Sequence, residues 1–449
     1  MKKFFPRKKK ILLIGVIIFV ILFCTCFSNL SINSYKYNKP VGHEESTEEF
    51  LKFPDGFLWG AATASYQVEG GNKYSSWWEF EQEKGRIKNG DRTDVCVDHY
   101  NLYEEDFDLL KEMELNSYRF SLEWGRIEPE KGVFDDTEIV HYKNVLQALK
   151  ERNITPMVTL WHHSIPTWFA EEGGWENKDS IKYFSAYVQY VAENLGDDTE
   201  LWLTMNEPTA YISSGYLMGK WPPGEADIKK VPVLQKNLVK AHKVAFEIIH
   251  KYDSDAEVGI AEYSSYVVSD SNKNVIENIV AYSIDKSWTH YFVSRVKDEL
   301  DYIGVHYYYR QKIRLGLLGD LISKDAEDFE ETGLDREYYP RGLYEVLMRF
   351  DKYDLPIYIT EIGVQDYHEV SRDVFIKEHA KEVYYAIQNG VDVRGFHYWA
   401  LLDSFEWSEG YDAKFGLIAV DLDTLERTIK DESWEYAEIA KCNCVSTGN

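Results

Sequence analysis

The chain of 449 residues is poor in positive charge and in cysteine. It carries 50 Lys and Arg against 76 Asp and Glu, a net charge of −26. A nucleic-acid partner is thereby disfavoured, because phosphate binding needs stripes of Lys and Arg. The bases are also unevenly placed: residues 1–42 hold eight Lys/Arg and no acid, so the remainder carries 42 bases against 76 acids, a net of −34. The five cysteines form no disulfide framework, and none has zinc-ligand partners at suitable spacing. Cys442 and Cys444, one residue apart, admit a redox role but read better as part of a frayed tail. No glycine-rich phosphate loop follows the first strand, since Gly70-Gly71 is too short for a dinucleotide fingerprint. No serine elbow or cysteine nucleophile is present. Apolar residues make up 44% and charged residues 28%, a soluble globular balance that excludes a multi-span membrane protein.

Aromatic residues, by contrast, are abundant: 33 Tyr, 22 Phe and 13 Trp, 15% of the chain. Such a surplus serves the core and also suits a pocket that stacks flat ligands such as sugars. At the N-terminus, Lys2, Lys3, Arg7, Lys8, Lys9 and Lys10 precede eighteen uncharged residues, 11–28. At helical rise that run spans about 27 Å, enough to cross a bilayer. The basic flank belongs on the cytoplasmic side. Residues 1–28 therefore read as a membrane anchor with the rest of the chain outside; the alternative is a cleaved signal and secretion. Residues 29–52 are polar and pattern-free and read as a linker, 53–440 as one catalytic domain, and 441–449 as a tail.

From Phe53 onward, short β-rich runs alternate with amphipathic helical sequence. The runs are 57–64, 116–123, 155–162, 201–207, 258–263, 302–308, 356–361 and 394–401. Helical stretches include 142–152, 181–195, 233–252 and 379–389. Strand–helix alternation implies a parallel sheet, and eight units in one domain point to an α/β fold, a closed (β/α)₈ TIM barrel. A doubly wound open sheet is the alternative, disfavoured by the missing phosphate loop. Chemistry in such barrels sits at the C-terminal ends of the strands. There this chain places Arg119 and Glu123, His162-His163, Asn206-Glu207, His306-Tyr307-Tyr308, Glu361, and Trp399 followed by Glu406-Trp407.

Glu207 and Glu361, on strands 4 and 7, face each other across the mouth. Residues 162 and 163 are adjacent on a strand and point to opposite faces, so they cannot both ligate one ion. Two carboxylates without a metal suit cleavage of a glycosidic bond, one protonated to serve the leaving oxygen and one ionised to attack carbon or activate water. A single buried glutamate is most often half of a structural ion pair. Two at opposed strand ends, one beside Asn206, are harder to explain that way.

The chain resembles glycoside hydrolase family 1, the retaining β-glycosidases, from about Phe53 to Ser433. The similarity rests on the segment 57–70 (FLWGAATASYQVEG), on Thr204-Met205-Asn206-Glu207-Pro208, on Ile359-Thr360-Glu361-Ile362-Gly363, on the segment 399–411 (WALLDSFEWSEGY), and on Lys414-Phe415-Gly416. The resemblance implies that Glu207 is the acid/base and Glu361 the nucleophile, and that Asn206 bonds the sugar 2-hydroxyl. It implies that Arg119 and Tyr308 hold Glu361 ionised. Gln67, His162, Glu406 and Trp407 would bond the other hydroxyls of a small-molecule β-glycoside, with Trp399 as stacking floor. No metal or cofactor is expected.

Four positions depart from the family pattern. Ile362 and His306 stand where Asn is usual, His163 where Trp or Phe is usual, and Ser164 where Asp is common. The segment 162–168 with 173–175 and 218–223 is similar to a divergent branch that includes membrane-anchored galactolipid galactosyltransferases. Transglycosylation at the same site is therefore the alternative to hydrolysis. Glu406 and Phe415 oppose a 6-phosphate on the sugar, since a carboxylate there repels it. A non-catalytic binding domain would be expected to lack one of the two glutamates, and both are present.

Overall fold

A computed structural model of the chain describes residues 39–448, apart from 272, 316–320, 324–336 and 367–369, together with residues 33, 36 and 37. The expected anchor, 11–28, lies outside the described residues. Among the described residues no helix is long and apolar enough to cross a membrane.

Eight strands form a closed parallel barrel: β1 (Leu58–Ala62), β2 (Ser117–Ser121), β3 (Thr155–Thr159), β4 (Leu201–Asn206), β5 (Glu257–Tyr263), β6 (Tyr302–His306), β7 (Ile357–Ile362) and β8 (Val393–Trp399). Each strand pairs with its sequence neighbour. The ring closes through β8 on β1, with Gly395 opposite Leu58 and Trp399 opposite Ala62. All eight expected strands are present, each within a few residues of its sequence-derived range.

The helices α1 (His99–Glu112), α2 (Asp136–Glu151), α3 (Ser180–Leu195), α4 (Val231–Tyr252), α5 (Arg341–Phe350) and α6 (Arg372–Gln388) are the main long elements outside the barrel. α2 begins six residues earlier than its apolar periodicity suggests. Its first turn is polar and is held by Asp135, whose side chain accepts from the Thr137 amide, a cap that contributes about 1 kcal/mol.

Strands buried on both faces read as near-continuous apolar runs, which is why they are legible in the sequence. Inside the barrel, Met157, Leu201, Leu203, Ala261, Tyr302 and Tyr358 pack into a floor. Gly259 makes room for it, because a Cβ there would lie 2.6 Å from the Tyr302 ring. The polar residues stand above this floor, so water and substrate approach only from the C-terminal end.

Both expected termini of the catalytic domain are revised. Phe50–Lys52 pairs antiparallel with Cys444–Ser446, and the Phe53 amide donates to the Asn443 carbonyl at 3.0 Å. The tail is therefore a paired strand, not a frayed end, and Cys442 and Cys444 are disulfide-bonded. The described part of the expected linker is tied to the barrel domain at Tyr37, Val41, His43 and Ser46. His43 stacks on Tyr385 at 3.9 Å and meets Glu382 at 3.1 Å. The Val41 amide donates to Glu345 at 3.1 Å. Tyr37 hydrogen-bonds Asp285 beneath the Arg349 guanidinium. Polar composition hid this strap because its partners are hydrogen-bonding groups more than 200 residues away.

Candidate active site

Glu207 follows β4 directly, and Pro208 opens the short helix Pro208–Ile212. Proline suits the first turn of a helix, where its missing N–H is not needed. The reversal puts Glu207 at φ 38°, ψ 60°, in the left-handed region that non-glycine residues seldom occupy. Its amide is held by the Ala261 carbonyl at 2.9 Å. His163 and Trp407 also have positive φ, 63° and 47°. Three strained residues around one mouth are typical of a functional site held by its surroundings. Glu361 sits one residue before the end of β7, and His306 ends β6.

His306 lies between the two glutamates. Its Nδ1 is 2.6 Å from Glu207 Oε1 and 3.4 Å from Glu361 Oε2. Oxygen atoms of the two carboxylates and the imidazole nitrogen lie within 4.8 Å of one another. Glu361 is further held by Arg119, Nη1 to Oε1 at 2.5 Å, and by the Tyr308 hydroxyl, which donates to Oε2 at 2.9 Å.

The fully buried Arg119 sets every hydrogen position in this layer. A guanidinium only donates. Arg119 Nη2 meets Asn206 Oδ1 at 2.5 Å, so that atom is the amide oxygen and Nδ2 is the donor. Nδ2 lies 2.9 Å from His162 Nε2 and 3.3 Å from His163 Nε2, so both Nε2 atoms accept. Arg119 Nη1 lies 3.3 Å from His306 Nε2, which must also accept. All three imidazoles therefore carry their hydrogen on Nδ1. Burial holds all three below the ordinary histidine range, reinforced by neighbouring positive charge from Arg119.

The convergence of His162 and His163 on one amide corrects the expectation that they face opposite ways. β3 ends at Thr159, and the left-handed turn at His163 breaks the two-residue period. The Nδ1 atoms of both rings are buried with no hydrogen-bond partner among the described residues.

A cavity of about 560 Å³ opens above these groups. Eight of the ten expected site residues line it: Glu207, Glu361, Asn206, Tyr308, His162, Trp399, Glu406 and Trp407. Arg119 and Gln67 stand one layer behind. Gln67 donates from Nε2 to the Phe405 carbonyl at 2.7 Å and to Glu406 Oε2 at 3.1 Å, so it positions Glu406. Trp221, Tyr263, Trp288 and Phe415 add aromatic walls. Of these, the sequence placed Phe415 near the sugar 6-position; the other three were signalled only by the surplus of aromatic residues.

Two further acids flank the site. Glu123 is absent from the cavity wall; Ser164 Oγ donates to its Oε1 at 2.7 Å and Ser65 Oγ to its Oε2 at 3.2 Å. Burial pushes its carboxyl up to about 7. Glu262, one residue before Tyr263, is fully buried, and burial together with the charge of Glu207 pushes it well above the carboxylate range. No motif in the sequence marks it.

Glu207, His306 and Glu361 are close enough together to face a single cation. A cation facing both carboxylates would need Nδ1 without its hydrogen. That hydrogen would then sit on Nε2, opposed to Arg119 Nη1. Arg119 also already occupies Glu361. The donor set fits a shared proton better than an ion.

The sequence model described as Glycosyl hydrolase family 1 matches residues 50–297 and 283–445. The chain belongs to glycosyl hydrolase family 1. It is 32% identical over 440 residues to beta-glucosidase A of Thermotoga maritima, covering 87% of this chain and 98% of that protein. A solved structure of the family 1 β-glucosidase from Thermotoga maritima superposes with a TM-score of 0.82 at 31% identity, covering 89% of this chain and all of that one. The chloroplastic galactolipid galactosyltransferase of Arabidopsis thaliana is 31% identical over 367 residues, 76% of this chain and 58% of that protein.

As a family 1 member the chain departs from the usual pattern without losing a buried contact at the polar positions. Ser164 gives Glu123 a donor where an aspartate would set two acids side by side. His163 accepts from Asn206, and His306 accepts from Arg119. Ile362 is fully buried in the main apolar core and turns away from the mouth.

Proposed function

We propose that this retaining β-glycosidase removes terminal β-D-glucosyl or β-D-galactosyl groups, with Glu361 as nucleophile and Glu207 as acid/base. The observation that carries the reading is the approach of the two carboxylates around His306, within 4.8 Å oxygen to oxygen. It supports direct attack; an inverting pair stands roughly 6.5–9.5 Å apart to admit a water. In the first step Glu207 protonates the glycosidic oxygen while Glu361 attacks the anomeric carbon, and the C–O bond to the leaving group breaks. Arg119 and Tyr308 hold Glu361 ionised and aimed. Once Glu361 becomes an ester its charge is gone, and Glu207, now a carboxylate, takes a proton from water. Water displaces Glu361 from the opposite face, and the configuration is retained overall. Asn206 Nδ2 reaches the sugar 2-hydroxyl by giving up its longer bond, to His163. Trp399 supplies the stacking face, Trp407 an N–H donor and Glu406 carboxylate acceptors for the hydroxyls of a single non-reducing sugar. The names of the relatives support a glucoside or galactoside substrate.

The test separates the two glutamates. With Glu361→Gly, added azide fills the vacated space and yields a glycosyl azide of inverted configuration. With Glu207→Ala and an activated aryl glycoside, the glycosyl-enzyme accumulates and azide releases it with retained configuration. The same configuration from both variants would overturn the assignment.

We also propose that residues 11–28 anchor the enzyme with the barrel on the outer side of the membrane. Six bases precede the run, in residues 1–10, against two in 29–42, and support this orientation. So does the Cys442–Cys444 disulfide, a bond that persists in oxidising compartments. Tyr37 is pinned to Asp285, so the nine steps from residue 28 reach at most about 30 Å.

A further inference from the structure

We propose that His306 is the positioning residue of the acid/base: its Nδ1–H grips Oε1 of Glu207, assigns the transferable proton to Oε2 and sets the alkaline limb of activity. The inference rests on the reading of Glu207 as acid/base and goes beyond it. The tautomer is forced, because Arg119 Nη1 at 3.3 Å can only donate and leaves Nε2 as an acceptor. Nδ1 then has one hydrogen, and the 2.6 Å contact gives it to Glu207 in preference to Glu361 at 3.4 Å. Whichever state Glu207 is in, Oε1 accepts. When Glu207 is protonated its hydrogen sits on Oε2, and the carboxyl cannot swap oxygens without breaking the bond to His306. A donor on a carboxyl oxygen favours the ionised form, so His306 prepares Glu207 for the base half of the cycle and draws down the pH at which the acid half is lost.

Other ionisable groups also surround Glu207. Glu361 faces it from β7, and Glu262 from β5. Arg119, on β2, is linked to it through His306. His162 and His163, at the end of β3, lie beyond Asn206. The 2.6 Å contact from His306 Nδ1 fixes the role of Oε1 as an acceptor.

Two substitutions separate the edges of the ring. Asn at 306 keeps a donor near the position of Nδ1 but cannot reach Arg119. Gln at 306 reaches toward Arg119 with its oxygen but loses the donor to Glu207. His306→Gln is expected to move the alkaline limb of kcat/KM on an unactivated glycoside up by about one pH unit. It should also lower that rate roughly tenfold, part of the about 10²–10⁴ that a general acid contributes, while an activated aryl glycoside, whose leaving group needs no proton, loses much less. His306→Asn should keep the limb where the wild type has it. An unmoved limb in His306→Gln, an equal shift in His306→Asn, or equal losses on both glycosides would overturn the proposal. The wild-type enzyme supplies a reading independent of variant folding. ¹⁵N-histidine spectra should show residue 306 neutral and protonated on Nδ1 across the active pH range; an Nε2–H form would refute the proposal outright. Failure of the Glu207→Ala azide rescue would instead remove the acid/base assignment itself, and leaves a different signature.

Discussion

Arg119 offers the sharpest test of the network, because five groups depend on it and no solvent reaches it. It meets Thr159 Oγ1 at 3.2 Å, His306 Nε2 at 3.3 Å, the Thr360 carbonyl at 3.1 Å, Glu361 Oε1 at 2.5 Å and Asn206 Oδ1 at 2.5 Å. Arg119→Met keeps much of the volume and removes the charge. Removing one partner of a buried ion pair costs about 3–5 kcal/mol. For a barrel of this size that lowers the melting temperature by only about 4–6 °C, since the unfolding entropy scales with length. The stability difference is full at neutral pH and closes as pH falls through the carboxylate range, where the partner acid is protonated with or without Arg119. Activity should respond far more. The reacting form needs an ionised Glu361, and removing an adjacent cation disfavours that form, so the acid limb of kcat/KM moves to higher pH, by about 1–3 units. Arg119→Lys keeps the charge but not the planar fork; it should restore most of the acid limb and leave the rate depressed. The assay is the pH profile of aryl β-glycoside hydrolysis beside thermal unfolding. A loss in Arg119→Met that is equal at every pH, with the acid limb unmoved, would show that Arg119 does not hold Glu361 ionised.

Two further outcomes follow from buried groups and from the strap. Glu262→Gln should stabilise the protein increasingly as pH rises above the ordinary carboxylate range: the buried acid stays protonated when folded but ionises when unfolded, so the wild type loses stability on that side and gains none below it. An unfolding comparison that shows no pH-dependent difference between the two would contradict this. For the anchored enzyme, external protease should release an active barrel by cutting within residues 29–36, not in the pinned segment 39–52; fragments beginning at 47 or later as the main product would place the strap off the barrel in solution.

The eight strands were legible because each is buried on both faces and leaves a run of apolar and β-branched residues without a polar alternate. Their helices were legible by period, except where a first turn is polar, as at Asp136–Glu138 of α2. The short sheet of Tyr266–Ser269, Arg310–Leu315 and Leu321–Ser323 was not read. It is inserted above β5 and β6, breaks the strand–helix alternation, and so carried no signal that the barrel pattern could recognise. The pairing of Phe50–Lys52 with Cys444–Ser446 was missed for a related reason. Three-residue strands have no measurable period, and their stability comes from a partner almost 400 residues away.

At the site, the identity of the chemistry was legible and its hydrogen-bond wiring was not. Carboxylates, amide and aromatics at strand ends are visible in a linear sequence, but which nitrogen of a histidine holds a hydrogen is decided by what faces the other nitrogen. Three of the four departures from the family pattern are polar, and each meets a buried group: Ser164 donates to Glu123, His163 accepts from Asn206, and His306 joins Arg119 to Glu207. Two of the three trace back to a single guanidinium. Because an unpaired buried polar group is expensive, such substitutions are tolerated as sets whose donors and acceptors balance, not one at a time. Restoring the common family residue at one position alone therefore need not improve the enzyme. Aspartate at 164 would face Glu123, already raised to about 7 by burial, and would add a second acid to a pocket that now holds a hydroxyl donor. Asparagine at 306 would release Arg119 from the imidazole. Ile362 stands apart: it is fully buried among apolar side chains, so its exchange for asparagine would bring an amide into the apolar core.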